Sequence, residues 1–121
     1  MRFKAALFAL RELDFGAWDG LDPAHLPEGA LARFHADPEA NPPPGGECWS
    51  DLCRRVGDAL AAIDDDTLVV SHAGAIRAAL ALLLRLDYAQ TWGVALPYGA
   101  RVSLHIWPGE PATCQITGLA A

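Results

Sequence analysis

Apolar positions along the chain fall into three different rhythms, and each predicts an element. Trp49, Leu52, Cys53, Val56, Ala59, Leu60 and Ile63 recur at helical spacing, which draws one apolar stripe along an α-helix. Glu47 and Asp51 lie near its start, where the helix dipole favours negative charge, and Asp64-Asp65-Asp66 ends it. Thr67 to Ser71 (TLVVS) is instead an unbroken β-branched and apolar run, which predicts a strand buried on both faces. A second helix is expected from about Ala75 to Leu86. Arg101 to Trp107 alternates, with Val102, Leu104 and Ile106 on one side and Arg101, Ser103 and His105 on the other. A turn at Pro108-Gly109 and Glu110-Pro111 then lets Thr113 to Leu119 return as its hairpin partner.

Elsewhere the pattern is weaker. Met1 to Leu10 is apolar without a clean period and fits a strand or a short helix. Glu28 to Ala36 fits a short helix with Leu31 and Phe34 inward. Asp37 to Gly46 holds four prolines and two glycines, so it is a loop, and Tyr88 to Gly99 reads as another. Helix, buried strand, helix and then strands is an α/β order with an antiparallel edge, and 121 residues make one domain.

Composition narrows the classes. Apolar residues are 52% and charged residues 20%, as in a globular chain rather than a disordered one. A net charge of −6 argues against a general nucleic-acid or acidic-membrane binder, which needs a basic face. The apolar run Ala78 to Leu84 falls far short of the roughly 20 residues of a membrane span. Arg11 and Glu12 cut the run from Ala5 short of a signal-peptide core, so no targeting signal is expected. Three cysteines at unhelpful spacings suggest free thiols in a cytoplasmic setting. Four histidines without ligand spacing predict no metal, and nothing calls for a cofactor.

The chemistry concentrates at three places. Val70-Ser71-His72-Ala73-Gly74 puts a histidine on the carboxyl lip of a buried strand, with a glycine for a tight turn and a helix start behind it. Ligands of open α/β sheets bind at such lips, and a helix N-terminus suits a phosphate. On these residues alone His72 serves equally well as a helix cap. Glu12, between an apolar segment and a glycine-rich turn, reads alone as a solvated carboxylate. Pro42-Pro43-Pro44-Gly45-Gly46-Glu47 reads alone as a rigid helix entry.

In this order, LRELDFGAWDG, PPPGGECWSDLCRRV and TLVVSHAGAIRAALALLL together resemble the histidine phosphatase, or phosphoglycerate mutase-like, superfamily. Its pattern runs L-x-E-x-x-x-G-x-W-x-G, then P-G-G-E-S with R-V downstream, then V-S-H-x-G-x-x-R. The likeness reaches from about Leu10 to Trp107, and its flavour is similar to the α-ribazole phosphatases of cobalamin assembly. The resemblance implies a three-layer α/β/α sandwich of phosphoglycerate mutase-like type with a C-terminal antiparallel hairpin. It implies a phosphomonoester hydrolase acting on a small phosphorylated metabolite, with α-ribazole 5′-phosphate as the nominated substrate. Carried over by position, Glu12 is the general acid, His72 the histidine that holds the phosphoryl group, and the Ala73 and Gly74 amides its phosphate-binding partners. Arg77 matches the motif as a structural position, and Cys48 stands where the family has serine, a poorer hydrogen-bond partner.

The family's nucleophile is a histidine in Arg-His-Gly, and no such triplet occurs here. The expectation is a domain incomplete at its N-terminus by about two βα units, roughly 60 residues at ~30 each. Low or no turnover by this chain alone follows. The rival readings are a non-catalytic phosphate-binding or interaction module, with a homodimer covering an exposed sheet edge, and a split enzyme.

Overall fold

The computed structural model describes residues 2–5, by their backbone, and residues 8–121. Met1, Ala6 and Leu7, part of the ambiguous first segment, lie outside the described residues. That segment resolves into both of its options: strand β1 (Arg2–Ala5), then a 3-10 turn at Phe8–Leu10. Helix α1 (Ala30–Ala36) starts two residues later than the pattern suggests, and Phe34 faces inward as expected.

Helix α2 (Trp49–Ala61) follows the predicted stripe, with Leu52 and Val56 fully enclosed. Cys48 is its N-cap residue but its thiol makes no capping bond. Glu39 reaches over from the proline loop instead, accepting from the Ser50 amide at 2.7 Å and the Ser50 hydroxyl at 2.8 Å. A carboxylate there satisfies an orphan amide and complements the helix dipole. These hydrogen bonds hold the Glu39 carboxyl below its ordinary value. All three cysteines are free, and burial pushes the Cys53 thiol up to about 11, so it is a packing group rather than a nucleophile.

Strand β2 (Thr67–Val70) pairs in parallel with β1, from Arg2 opposite Thr67 to Ala5 opposite Val70. Its expected burial on both faces is corrected. Val69 packs into the core, whereas Leu68 and Val70 on the other face are 43% and 55% exposed. An unbroken apolar run predicts the two-sided cover of a parallel sheet, but among the described residues only one face is covered.

Helix α3 (Ala73–Leu84) begins two residues before the expected Ala75 and packs along α2. Leu10, Leu13, Phe34, Leu52, Val56, Ala75 and Ala78 form the core, so the segment around Glu12 is sealed from behind by both helices. Helix α3 ends at Arg85 in the left-handed region, whose guanidinium donates to the Ala112 carbonyl at 3.0 Å and ties the helix to the hairpin turn.

The expected loop after it contains a short helix, α4 (Tyr88–Thr91). It is closed by a reciprocal capping box: Asp87 accepts the Gln90 amide, and Gln90 accepts the Asp87 amide. Strands β3 (Arg101–Trp107) and β4 (Thr113–Ala120) form the expected hairpin, with Thr117 as the extra residue where the register shifts between Ser103 and Leu104. The α/β order stands. The sheet, however, comprises two separate pairs among the described residues, β1-β2 and β3-β4, rather than one sheet with an antiparallel edge.

Candidate active site

Glu12 sits where three segments converge. Just before it, the Leu10 carbonyl accepts a 2.7 Å hydrogen bond from the Ser71 hydroxyl at the end of β2. One Glu12 carboxylate oxygen accepts from the Leu13 amide at 2.8 Å, and the other accepts from the Gly74 amide at 3.1 Å. The carboxylate therefore rests on the N-terminus of α3, where unsatisfied amides and the dipole favour an anion.

This contact explains Gly74, and it differs from the sequence expectation. Gly74 does not form a tight turn; it lies in the first turn of α3. A Cβ there would overlap Glu12 Oε1 and come within 3.0 Å of its Cδ, so only glycine lets the carboxylate approach. Of the two amides proposed for phosphate, the Gly74 N–H is engaged by Glu12, and the Ala73 N–H is one of the helix's leading donors.

His72 is the N-cap residue of α3, and its side chain makes no capping bond. The imidazole is exposed and has no hydrogen bond among the described residues. Its side chain thereby plays no capping role, and the residue stands two positions before Gly74, whose amide Glu12 holds.

Arg55 fixes the backbone under Glu12. Its Nη1 donates to the Ala9 carbonyl at 2.8 Å and the Arg11 carbonyl at 2.9 Å, and its Nη2 donates to the Glu12 carbonyl at 3.3 Å. Nε and Nη2 also grip Glu47 bidentately, at 3.0 and 2.8 Å, and both side chains are nearly buried. Glu47 in turn accepts the Asp14 amide at 3.1 Å, and its own amide donates to the Asp14 carbonyl at 2.8 Å. In the sequence Glu47 is read only as an acid favoured at the helix start, and Arg55 stands within a motif without an assigned role. The signal available is an unusually placed acid and base eight residues apart across a helix start.

Burial pushes the Glu47 carboxyl up, and the Arg55 hydrogen bonds, the Asp14 amide and the charges of Arg55 and Arg11 outweigh it, so the carboxyl sits below its ordinary value. The stability it contributes is complete above the ordinary value of 4.5 and is lost as the pH falls through the depressed folded value. A titration of melting temperature is expected to drop below pH 4.5 in the wild type, and Glu47→Gln should flatten much of that drop. Parallel acid curves for the two proteins would assign the lability to other carboxylates.

Arg77 is committed to holding the fold. It is 5% exposed, donates from Nη1 to the Thr91 carbonyl at 2.6 Å and the Val94 carbonyl at 2.9 Å, and lies 3.8 Å from the centroid of the Trp92 ring. Burial lowers its pKa, and the bonds keep the turn after α4 against α3. Between that turn and Glu12 opens a cavity of about 90 Å³, lined by aromatic rings from four segments together with Glu12, Gly74 and Arg77. Among the described residues no group of histidines, cysteines and carboxylates is placed to hold a metal, and no helix is long and apolar enough to cross a membrane.

A family model, Histidine phosphatase superfamily (branch 1), matches residues 6–117. The chain belongs to this superfamily. Its fold is the α/β fold of the phosphoglycerate mutase-like proteins, with the antiparallel pair at the C-terminus. The structure is similar to mycobacterial glucosyl-3-phosphoglycerate phosphatase solved with inorganic phosphate, at 25% identity and a TM-score of 0.74, over 91% of this chain and 61% of that one. It is also similar to mycobacterial hydrolase 1, at 26% identity and a TM-score of 0.69, with the same coverage of 91% and 61%. A protein from Thermus thermophilus matches at 33% identity and a TM-score of 0.52, over 79% of this chain and 52% of that one. The chain thus spans about 61% of the length of the two mycobacterial structures. No curated protein matches it.

Proposed function

We propose that this chain carries the proton-donating and phosphoryl-holding part of a phosphomonoester hydrolase site. Glu12 gives its proton to the leaving oxygen and later takes one from water, while His72 and the Ala73 amide hold the phosphoryl group. The observation that carries this reading is the Glu12 carboxylate seated on the Gly74 amide at the start of α3, the helix whose N-cap residue is the exposed His72. Mycobacterial glucosyl-3-phosphoglycerate phosphatase, similar in fold, was solved with inorganic phosphate, which supports a phosphoryl ligand. The finer reading of the substrate is α-ribazole 5′-phosphate, on the resemblance of the run from Arg11 to Gly20, the proline-rich loop before Gly45-Gly46-Glu47 and the Tyr98-Gly99 pair before a strand to the α-ribazole phosphatases.

No Arg-His-Gly nucleophile motif occurs among the 121 residues. Loss of a nucleophile costs on the order of 10⁶ in rate, so the chain by itself should bind phosphate and turn over negligibly. The test is a titration with inorganic phosphate followed by the imidazole NMR signals, alongside hydrolysis of an aryl phosphate and of α-ribazole 5′-phosphate. Millimolar-range shifts of His72, weakened in Gly74→Ala, with background hydrolysis, are expected. Hydrolysis that vanishes in Glu12→Ala and His72→Ala would overturn the inactivity, and an unresponsive His72 would overturn the phosphoryl reading.

The second reading is a non-catalytic module whose dimer covers an exposed sheet edge, and the exposed Leu68 and Val70 on β2 add an apolar face beside that edge. Sedimentation in the same buffer decides it: a well-folded monomer removes this reading.

A further inference from the structure

The cavity beside Glu12 is a cage of rings that brace one another edge to face. Trp49 meets Tyr88 at 4.9 Å between centroids, Tyr88 meets Trp92 at 6.3 Å, Trp92 meets His35 at 5.8 Å, and Phe15 meets Phe34 at 5.9 Å. The His35 ring is further fixed by the Tyr88 hydroxyl, 3.3 Å from Nδ1. Rings held by their neighbours lose little freedom when a ligand enters, so such a wall is set for binding in advance. Aromatic faces and edges offer stacking to a flat ring and CH contacts to a sugar.

The same wall is hostile to a second negative charge. Its surface is almost wholly apolar, so an anion would lose water without gaining partners. Among the described lining residues the side-chain cation is Arg77, with Nη1 committed to two carbonyls and one face covered by Trp92. Glu12 itself adds a carboxylate to the rim.

We propose that this cavity receives the alcohol part of the phosphoester, and that this alcohol is an uncharged ring. The inference rests on Glu12 as proton donor, since the donor lies against the leaving oxygen and so fixes the side the alcohol occupies. Phosphoesters of glycerate-like acids are selected against, because their carboxylate would meet the apolar wall.

The test uses the alcohols alone. The purified chain is titrated with benzyl alcohol and separately with glycerate, following the indole N–H signals of Trp49 and Trp92, with Trp107 in the hairpin as internal control. Benzyl alcohol is expected to move both cavity indoles and leave Trp107 in place, with glycerate at least about tenfold weaker. Tyr88→Ala should weaken benzyl alcohol about fivefold to tenfold, while Tyr88→Phe, which keeps the ring, stays within about twofold. If Tyr88→Ala does not fold, His35→Ala at an exposed position tests the same wall and should weaken binding at least about twofold. Glycerate binding as tightly as benzyl alcohol, or unmoved indoles, overturns the proposal. No phosphoryl group enters this titration, so its failure leaves the response of His72 to phosphate untouched. A responsive cavity with a silent His72 would overturn the Glu12–His72 reading instead.

Discussion

Arg55→Ala is expected to destabilise the protein by about 3–5 kcal/mol, the range for breaking one side of a buried ion pair. Domains of this size carry about 5–15 kcal/mol in total, so the variant should lose a large share of its stability and unfold at a much lower urea concentration. The reason lies in what the guanidinium leaves behind. Glu47 would keep a nearly buried carboxylate without its bidentate partner, and the Ala9, Arg11 and Glu12 carbonyls would each lose a donor. An exposed pair such as Arg54–Asp51, at 2.9 Å with both side chains more than half exposed, gives the contrast. Arg54→Ala should cost no more than about 1 kcal/mol. Urea unfolding followed by circular dichroism measures both. A loss of under about 1 kcal/mol at Arg55 would mean that this pair behaves like a surface pair.

The double replacement Arg55→Met with Glu47→Leu separates the two parts of that loss. Replacing a buried pair by apolar groups of similar volume is often neutral. Here it would still leave three carbonyls without their Arg55 donor, so only part of the stability should return. Full recovery would show that the carbonyl contacts contribute little. Whatever the partition, the backbone carrying Glu12 is the segment that loses its anchor, so the phosphate response of His72 should fall with it.

The elements most visible in the sequence are those whose period alone specifies them. Helix α2 is drawn by its own stripe, and β3 by strict alternation, because both bury one face against the rest of this chain. Burial of β2 is not legible, since an unbroken apolar run says that two faces want cover without saying that both receive it. Helix α4 is hidden in a segment rich in loop formers, although Asp87 and Gln90 spell a capping box three residues apart.

At the site, His72 stands out locally as a histidine on the carboxyl lip of a strand, whereas Glu12 is linked to it only by the order of their motifs. A turn is the usual reason for glycine after a strand, and that is what the sequence predicts at Gly74. Its real constraint is the oxygen of a side chain 62 residues away, which no window of sequence reveals. The Arg55–Glu47 clamp is hidden for the same reason. Its geometry depends on how the proline loop delivers Glu47 across the start of α2.

Gly16→Ala is the second large effect, expected at about 2–5 kcal/mol, because it combines a backbone penalty with a steric overlap. Gly16 adopts φ +54°, and a Cβ there would overlap the Pro44 carbonyl oxygen and stand 2.5 Å from the Gly46 nitrogen. Those are backbone atoms, so no side chain can swing aside to relieve the contact. The same contact is seen from the other strand of chain: a Cβ on Gly46 would lie 2.5 Å from the Asp14 carbonyl oxygen. The two glycine-bearing segments touch backbone to backbone, sealed by the Ala17 amide on the Pro44 carbonyl at 2.9 Å and the Glu47 amide on the Asp14 carbonyl at 2.8 Å. The two contributions can be measured apart. Gly20 has φ +73° with nothing within 4 Å, so Gly20→Ala carries the backbone penalty alone, about 1–2 kcal/mol. Gly46 is not among the left-handed glycines, so Gly46→Ala carries the overlap alone, about 1–3 kcal/mol. If Gly16→Ala in thermal or urea unfolding costs no more than Gly20→Ala, the segments have room to part and the weld between the acid loop and the proline loop is not tight. If it exceeds both single-cause variants, the position of Glu12 depends on two glycines 30 residues apart being unable to carry a side chain.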